Sequence, residues 1–168
     1  MPTDTLTFVD DGDVPNHPHW PMIVYAQAIA PETVQRSEYA FDELFERNGW
    51  PVGFRNGIYP FTHYHSNAHE VLGIARGEAT VQFGGKSGKT LTARAGDALL
   101  LPAGTGHKLI SSGLDLLVIG AYPPGSNRDL MRSGEVDKAG IRARIVGVAK
   151  PNTDPISGAA GAMTRLWT

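Results

Sequence analysis

Imidazole and carboxylate side chains crowd one part of this chain. Residues 57–77, GIYPFTHYHSNAHEVLGIARG, hold three of its six histidines. His63 and His65 are one residue apart. Successive side chains of a β-strand point to opposite faces, so an H-x-H pair in a strand aims two imidazoles at one spot. The chain then turns through Ser66, Asn67 and Ala68 and returns with His69 and Glu70, and a second cluster runs from Gly96 to His107. If the clusters converge, the protein carries a divalent-metal site built from neutral imidazoles and a carboxylate, a donor set suited to Mn, Fe, Co, Ni or Zn. His69 and Glu70 are strand neighbours, so one of them and not both should reach the ion.

The remaining polar clusters carry no comparable chemistry. Asp10-Asp11-Gly12-Asp13 reads as an acidic turn, because no bidentate glutamate follows at the spacing of a calcium loop. His17-Pro18-His19 repeats the H-x-H spacing, but Pro15, Pro18 and Pro21 argue against a central strand there. Gly84-Gly85-Lys86-Ser87-Gly88-Lys89 lacks phosphate-loop spacing and reads as a hairpin turn. No nucleophile elbow or Ser-His-Asp pattern is present, and no catalytic residue stands out beyond the candidate ligands.

These ligands need a scaffold of short strands. From residue 52 onward, strand patterns at 57–65, 69–75, 78–83, 89–94, 97–101, 107–111 and 114–121 alternate with glycine-rich turns, which predicts a mainly β sandwich or barrel. Residues 22–29 predict one earlier strand. Residues 32–48 predict a helix lying outside the sheet, with Phe41, Leu44 and Phe45 inward, Gly49 as C-cap and Pro51 as stop. Residues 142–149 alternate imperfectly and read as one more strand. The 168 residues suit one domain: an arm and helix over 1–51, a core over 52–122 and an extension over 123–168.

The spacing resembles a known family. Gly57, His63-x-His65, Glu70 and Gly77 stand with five, four and six residues between them; Gly96, Pro102-x-Gly104 and His107 stand with five and two. These are similar to the two motifs of the cupin superfamily, whose fold is a double-stranded β-helix, or jelly-roll, barrel. One position departs: the asparagine often found four residues after the second-motif histidine is Ser111 here, and that asparagine is not a ligand in the family. The flanks DDGDVPNHP, RNGW and GAYPPG look like those of small single-domain bacterial members, a likeness that brings no substrate with it. The resemblance implies His63, His65, Glu70 and His107 as metal ligands, and its spacing favours Glu70 over His69. His69 is then exposed or a support behind the ligands. Strand parity adds Arg55, Tyr59 and Phe61 as pocket residues if one strand runs unbroken from 55 to 65. Arg55 would then offer a guanidinium to a substrate carboxylate.

Function is expected to follow from an open metal coordination sphere. The leading expectation is a metal-dependent enzyme, dioxygenase- or oxidase-like, acting on a small organic molecule. The alternatives are a metal-dependent isomerase or decarboxylase and a non-catalytic ligand-binding or sensing barrel. A net charge of −2 gives no electrostatic case for nucleic acid or an anionic membrane. The acidic N-terminus does not resemble a signal peptide, no apolar run reaches the roughly 18 residues of a span, and the absence of cysteine excludes disulfides and thiolate ligation. The expected setting is cytoplasmic, and dimerisation through barrel edges is expected by analogy with other cupins.

Overall fold

The computed structural model describes residues 1–135 and 140–168. In chain order its elements are β1 (Thr3–Leu6), β2 (Met22–Tyr25), α1 (Pro31–Arg36), α2 (Ala40–Arg47), β3 (Val52–Asn56), β4 (His63–Tyr64) and β5 (Glu70–Arg76). Then come β6 (Glu78–Phe83), β7 (Lys89–Arg94), β8 (Ala98–Leu101), β9 (His107–Ser112), β10 (Leu117–Ala121), β11 (Met131–Arg132), α3 (Ile141–Gly147) and α4 (Ala162–Leu166). The strands form two antiparallel sheets, ordered β1-β2-β8-β5-β10-β3 and β11-β4-β9-β6-β7. Two facing antiparallel sheets are the expected jelly-roll architecture.

Alternation along the six-stranded sheet sorts its side chains into two layers. Leu72 and Ile74 of β5 join Leu99 and Leu101 of β8, Val118 of β10 and Val81 and Phe83 of β6 in the core between the sheets. Val71, Leu100 and Ile119 point the other way, into an outer core with Phe41, Phe45, Trp50 and Trp167. Each such fully buried large side chain contributes about 1.5–3 kcal/mol relative to exposure. Gly73 lets this outer layer close: a Cβ there would stand 2.5 Å from the Phe41 ring.

Several elements differ from the sequence expectation. The helix predicted over 32–48 is two helices, separated by an extended Ser37 (φ −146°). The break brings Glu38 against Arg55 and Arg76 (3.2 and 3.1 Å). Residues 142–149 are not a strand. Ile141 and Ile145, four apart, bury one helical face of α3 against Val14, Tyr64 and Ala103. The strand predicted over 57–65 is confined to β4, because β3 ends at Asn56 in one sheet and the chain crosses to the other before His63. Strand β2 ends at Tyr25, short of 29.

The terminal segments are built into the molecule. β1 pairs with β2. Residues 152–162 wrap around Asp154, which is fully buried. Its carboxylate accepts from the Tyr25 hydroxyl (2.6 Å) and from the backbone N–H groups of Ile156, Ser157 and Met163 (2.8, 2.9 and 2.9 Å). These charge-assisted bonds satisfy a group that would otherwise be costly to bury.

Candidate metal centre

The ligand-type side chains come from both sheets. His63 and His107 are directly paired on β4 and β9. Glu70 opens β5 in the opposite sheet, on the same face as Leu72 and Ile74. His65 Nε2 and His107 Nε2 approach Glu70 Oε2 at 3.5 and 3.1 Å. His65, Glu70 and His107 each offer a ligand atom, and these atoms all lie within 4.8 Å of one another. His63 stands beside this group, its ring centroid 4.0 Å from that of His107 and 6.1 Å from that of His65.

The backbone sets the tautomers. His63 Nδ1 donates to the Phe61 carbonyl (2.9 Å), His107 Nδ1 to the Thr105 carbonyl (3.0 Å) and His65 Nδ1 to the Asp129 carbonyl. A carbonyl oxygen can only accept, so Nδ1 carries the proton in all three rings, leaving each Nε2 as the ligating atom. Glu70 is held similarly: the Tyr122 hydroxyl donates to Oε1, while the buried Oε2 receives no well-formed hydrogen bond among the described residues. Two imidazole nitrogens around an unsatisfied carboxylate oxygen fit a divalent cation.

The electrostatics agree. Burial, reinforced by repulsion from His107, pushes His63 down to about 3, so its imidazole is neutral at ordinary pH. Burial raises the Glu70 carboxyl, but attraction to His65 and contact with His107 outweigh it and hold the group well below the usual carboxylate range. Burial likewise disfavours protonated His65, and the Glu70 carboxylate reverses this, raising its pKa. The site therefore stabilises positive charge beside Glu70, which a metal ion can supply in place of a proton. Tyr122 is pushed far above the ordinary phenol range by burial and by Glu70, so it remains a hydroxyl donor.

The cluster opens onto a cavity of about 290 Å³, at the lower edge of the roughly 300–1,000 Å³ typical of small-molecule sites. Phe54, Ile58, Tyr59 and Leu72 supply apolar walls, and Arg128 is the one arginine or lysine lining it among the described residues.

The pocket residues expected from parity divide. Tyr59 lines the cavity; Phe61 stacks on Tyr59 at 4.9 Å and meets His63 edge-on at 5.6 Å. Arg55 is a correction. On β3 the inward residues are Phe54 and Asn56, and Arg55 turns outward to Asp42 and Glu38 (2.5 and 3.2 Å) and over the Tyr39 ring. Strand alternation does not carry from His63 back to Arg55, because the strand is interrupted between 56 and 63. His69 is fully buried on the outer face, neither exposed nor behind the ligands. Its Nδ1 accepts from the Ala103 N–H (2.9 Å), its Nε2 donates to the Ala149 carbonyl (3.2 Å), and its ring packs 4.8 Å from Trp167. Burial pushes it down to about 4.

Two residues at the site carried no sequence signal: Tyr122, inside the flank GAYPPG, and Arg128, in a compositionally mixed stretch. His17 and His19 do not form a second site. His17 Nδ1 accepts from the N–H groups of His19 and Trp20 (3.2 and 2.9 Å), and its ring stacks on Trp20.

The family model described as Cupin domain matches residues 55–120. The "Uncharacterized protein YjlB" of Bacillus subtilis (strain 168) is 38% identical over 165 residues, covering 98% of this chain and 96% of that protein. Among solved structures, a DUF861 family protein from Thermotoga maritima is 18% identical with a TM-score of 0.35, covering 58% of this chain and 93% of its own. Acireductone dioxygenase from Bacillus anthracis, with cadmium in its active centre, is 16% identical with a TM-score of 0.38, covering 58% and 64%. Procruciferin, an 11S globulin from Brassica napus, is 21% identical with a TM-score of 0.36 over 45% of this chain, which spans 20% of that globulin. With its motif-bearing strands inside the matched segment and a relative aligned over nearly its whole length, the chain belongs to the cupin family.

Proposed function

We propose that this protein is a metal-dependent enzyme acting on a small organic molecule, with His65, Glu70 and His107 as ligands and His63 completing the set. The observation that carries the reading is the convergence of the His65 and His107 Nε2 atoms on the otherwise unsatisfied Glu70 Oε2, at the floor of an open cavity. A divalent ion held there supplies Lewis-acid polarisation of a substrate oxygen and, if it is iron or manganese, redox chemistry with dioxygen. The reaction class we assign is oxidation or dioxygenation; isomerisation or decarboxylation uses the same ligands.

The chain's own groups prepare the site. The backbone carbonyls of Phe61, Thr105 and Asp129 orient the three imidazoles. Tyr122 fixes Glu70 and keeps its own proton. The apolar walls limit water around a bound molecule. Among the described residues no helix is long and apolar enough to cross a membrane; a cytoplasmic setting and a homodimer belong to the same proposal.

The test is elemental analysis of untagged protein beside a His63→Ala, His65→Ala double variant. It is followed by oxygen-uptake and product screens on metal-loaded protein with keto acids, hydroxy acids, phenols and sugars. Near-stoichiometric metal in the parent alone, with turnover, is expected. No metal even after reconstitution refutes the site. Metal and tight ligand binding without turnover replace the enzyme with a binding module.

A further inference from the structure

The segment following the barrel is fastened to the turn that carries His65. Asn67 Nδ2 donates to the Asn127 carbonyl (2.7 Å), and Asn67 Oδ1 accepts from the Asp129 N–H (2.9 Å). The Ser66 N–H donates to Asp129 Oδ1 (2.7 Å), and the Ser66 hydroxyl donates to Oδ2 of the same carboxylate. Arg144 of α3 closes the outside, donating to Ser66 Oγ (3.1 Å) and lying 3.5 Å from Asp129 Oδ2. Both neighbours of Arg128 are thus pinned.

Arg128 itself is differently placed. Its guanidinium lies 4.3 Å over the Tyr122 ring and lines the cavity. Gly53 leaves room beside it: a Cβ there would stand 2.6 Å from the Tyr122 ring and 2.9 Å from Arg128 Nη1. Among the described residues Arg128 has no hydrogen bond or ion pair, whereas Arg55, Arg76, Arg94 and Arg144 each pair with a carboxylate. A held guanidinium whose fork of N–H donors has no protein acceptor, beside an apolar cavity, matches a planar carboxylate.

Resting on the proposed metal-dependent function, we infer that the substrate is a small carboxylic acid whose carboxylate pairs with Arg128 while its apolar body lies against Phe54, Ile58 and Leu72. The role that parity assigned to Arg55 belongs to Arg128. Arg128 is a specificity-determining residue, delivered by the segment that also orients His65 through the Asp129 carbonyl. The cavity of about 290 Å³ restricts the acid to a small molecule.

The test is calorimetric titration of manganese-loaded protein with 2-oxohexanoate and with 2-hexanone, its analogue lacking the carboxylate, in the parent and in Arg128→Gln and Arg128→Lys. The parent is expected to bind the acid at least about tenfold more tightly than the ketone, Arg128→Gln to lose that preference, and Arg128→Lys to fall between. Metal content of Arg128→Gln should match the parent, and its thermal midpoint should lie within about 4 °C of it, since the exposed side chain gives up only its stacking on the Tyr122 ring. Equal acid affinity in parent and Arg128→Gln overturns the inference and leaves the metal reading standing. So does a parent without acid preference, or without binding of either probe. Loss of metal from Arg128→Gln would make the residue a support of the metal site and would also overturn it. If the parent takes up none of manganese, iron, cobalt, nickel or zinc on reconstitution, the metal reading fails, and the same titrations on metal-free protein still decide whether Arg128 selects the acid.

Discussion

Tyr122→Phe isolates one hydrogen bond at the centre of the site. The ring stays, with its packing against Gly53 and under the Arg128 guanidinium. What is removed is the hydroxyl that donates to Glu70 Oε1. Tyr122 and Glu70 are both nearly inaccessible, so solvent replaces the lost donor poorly. A hydrogen bond to a charged group contributes about 1.5–3 kcal/mol. At about 2–4 °C per kcal/mol for a chain of this size, the metal-free variant should melt about 3–12 °C below the parent. Removing a group that orients a ligand costs about 10–100-fold in metal affinity, or about 1.4–2.7 kcal/mol. Differential scanning calorimetry of the metal-free proteins and zinc titration against a competing chelator read the two quantities separately. Parent-like melting and parent-like zinc affinity together would show that Tyr122 does not hold Glu70, and the account of how the carboxylate is positioned would fall. A lower melting point with unchanged zinc affinity would confine the hydroxyl to a structural role.

Other expectations concern residues outside the ligand set. His17 is buried, and burial, reinforced by His19, pushes it down to about 4 from an ordinary value of 6.5. The unfolded chain therefore binds more protons between those values, so stability is fully present above pH 6.5 and is lost as pH falls through 4, by up to about 3 kcal/mol. His17→Asn, whose side-chain oxygen can accept the same N–H groups without titrating, should flatten the slope of urea-unfolding free energy between pH 6.5 and 4; an unchanged slope would remove His17 from the explanation. Arg55→Ala breaks part-exposed ion pairs worth about 0.2–1 kcal/mol each and should leave metal content and acid binding unaltered; a loss of acid binding would return Arg55 to the pocket. Gly73→Ala forces a methyl to 2.5 Å from the Phe41 ring and should cost about 1–3 kcal/mol by denaturant unfolding, with a parent-like midpoint counting against close packing of α2 on β5.

Much of the core was legible because its signals are local. The hairpin joining β6 and β7 follows glycine turns, and the predicted 78–83 and 89–94 match those strands. The inward face of α2 was visible in the spacing of Phe41, Leu44 and Phe45. Where local pattern is ambiguous, packing decided. Arg142 to Ala149 alternates weakly, yet Ile141 and Ile145 bury one helical face. A break at Ser37 in an otherwise helical stretch lets two short helices follow the sheet.

By itself the sequence determined the donor types, their motif spacing and the mainly β scaffold, because strand alternation and turn chemistry act over a few residues. Tertiary structure decided which side chains face one another. The β5 register turns Glu70 inward and leaves His69 in the outer core, and the crossing between β3 and β4 turns Arg55 away from the cavity. Tyr122 reaches Glu70 across 52 positions of sequence, and the Asp129 carbonyl reaches His65 across 64. Contacts at such separations leave no periodicity in the sequence; they exist only once the two sheets and the segment that follows them have packed together.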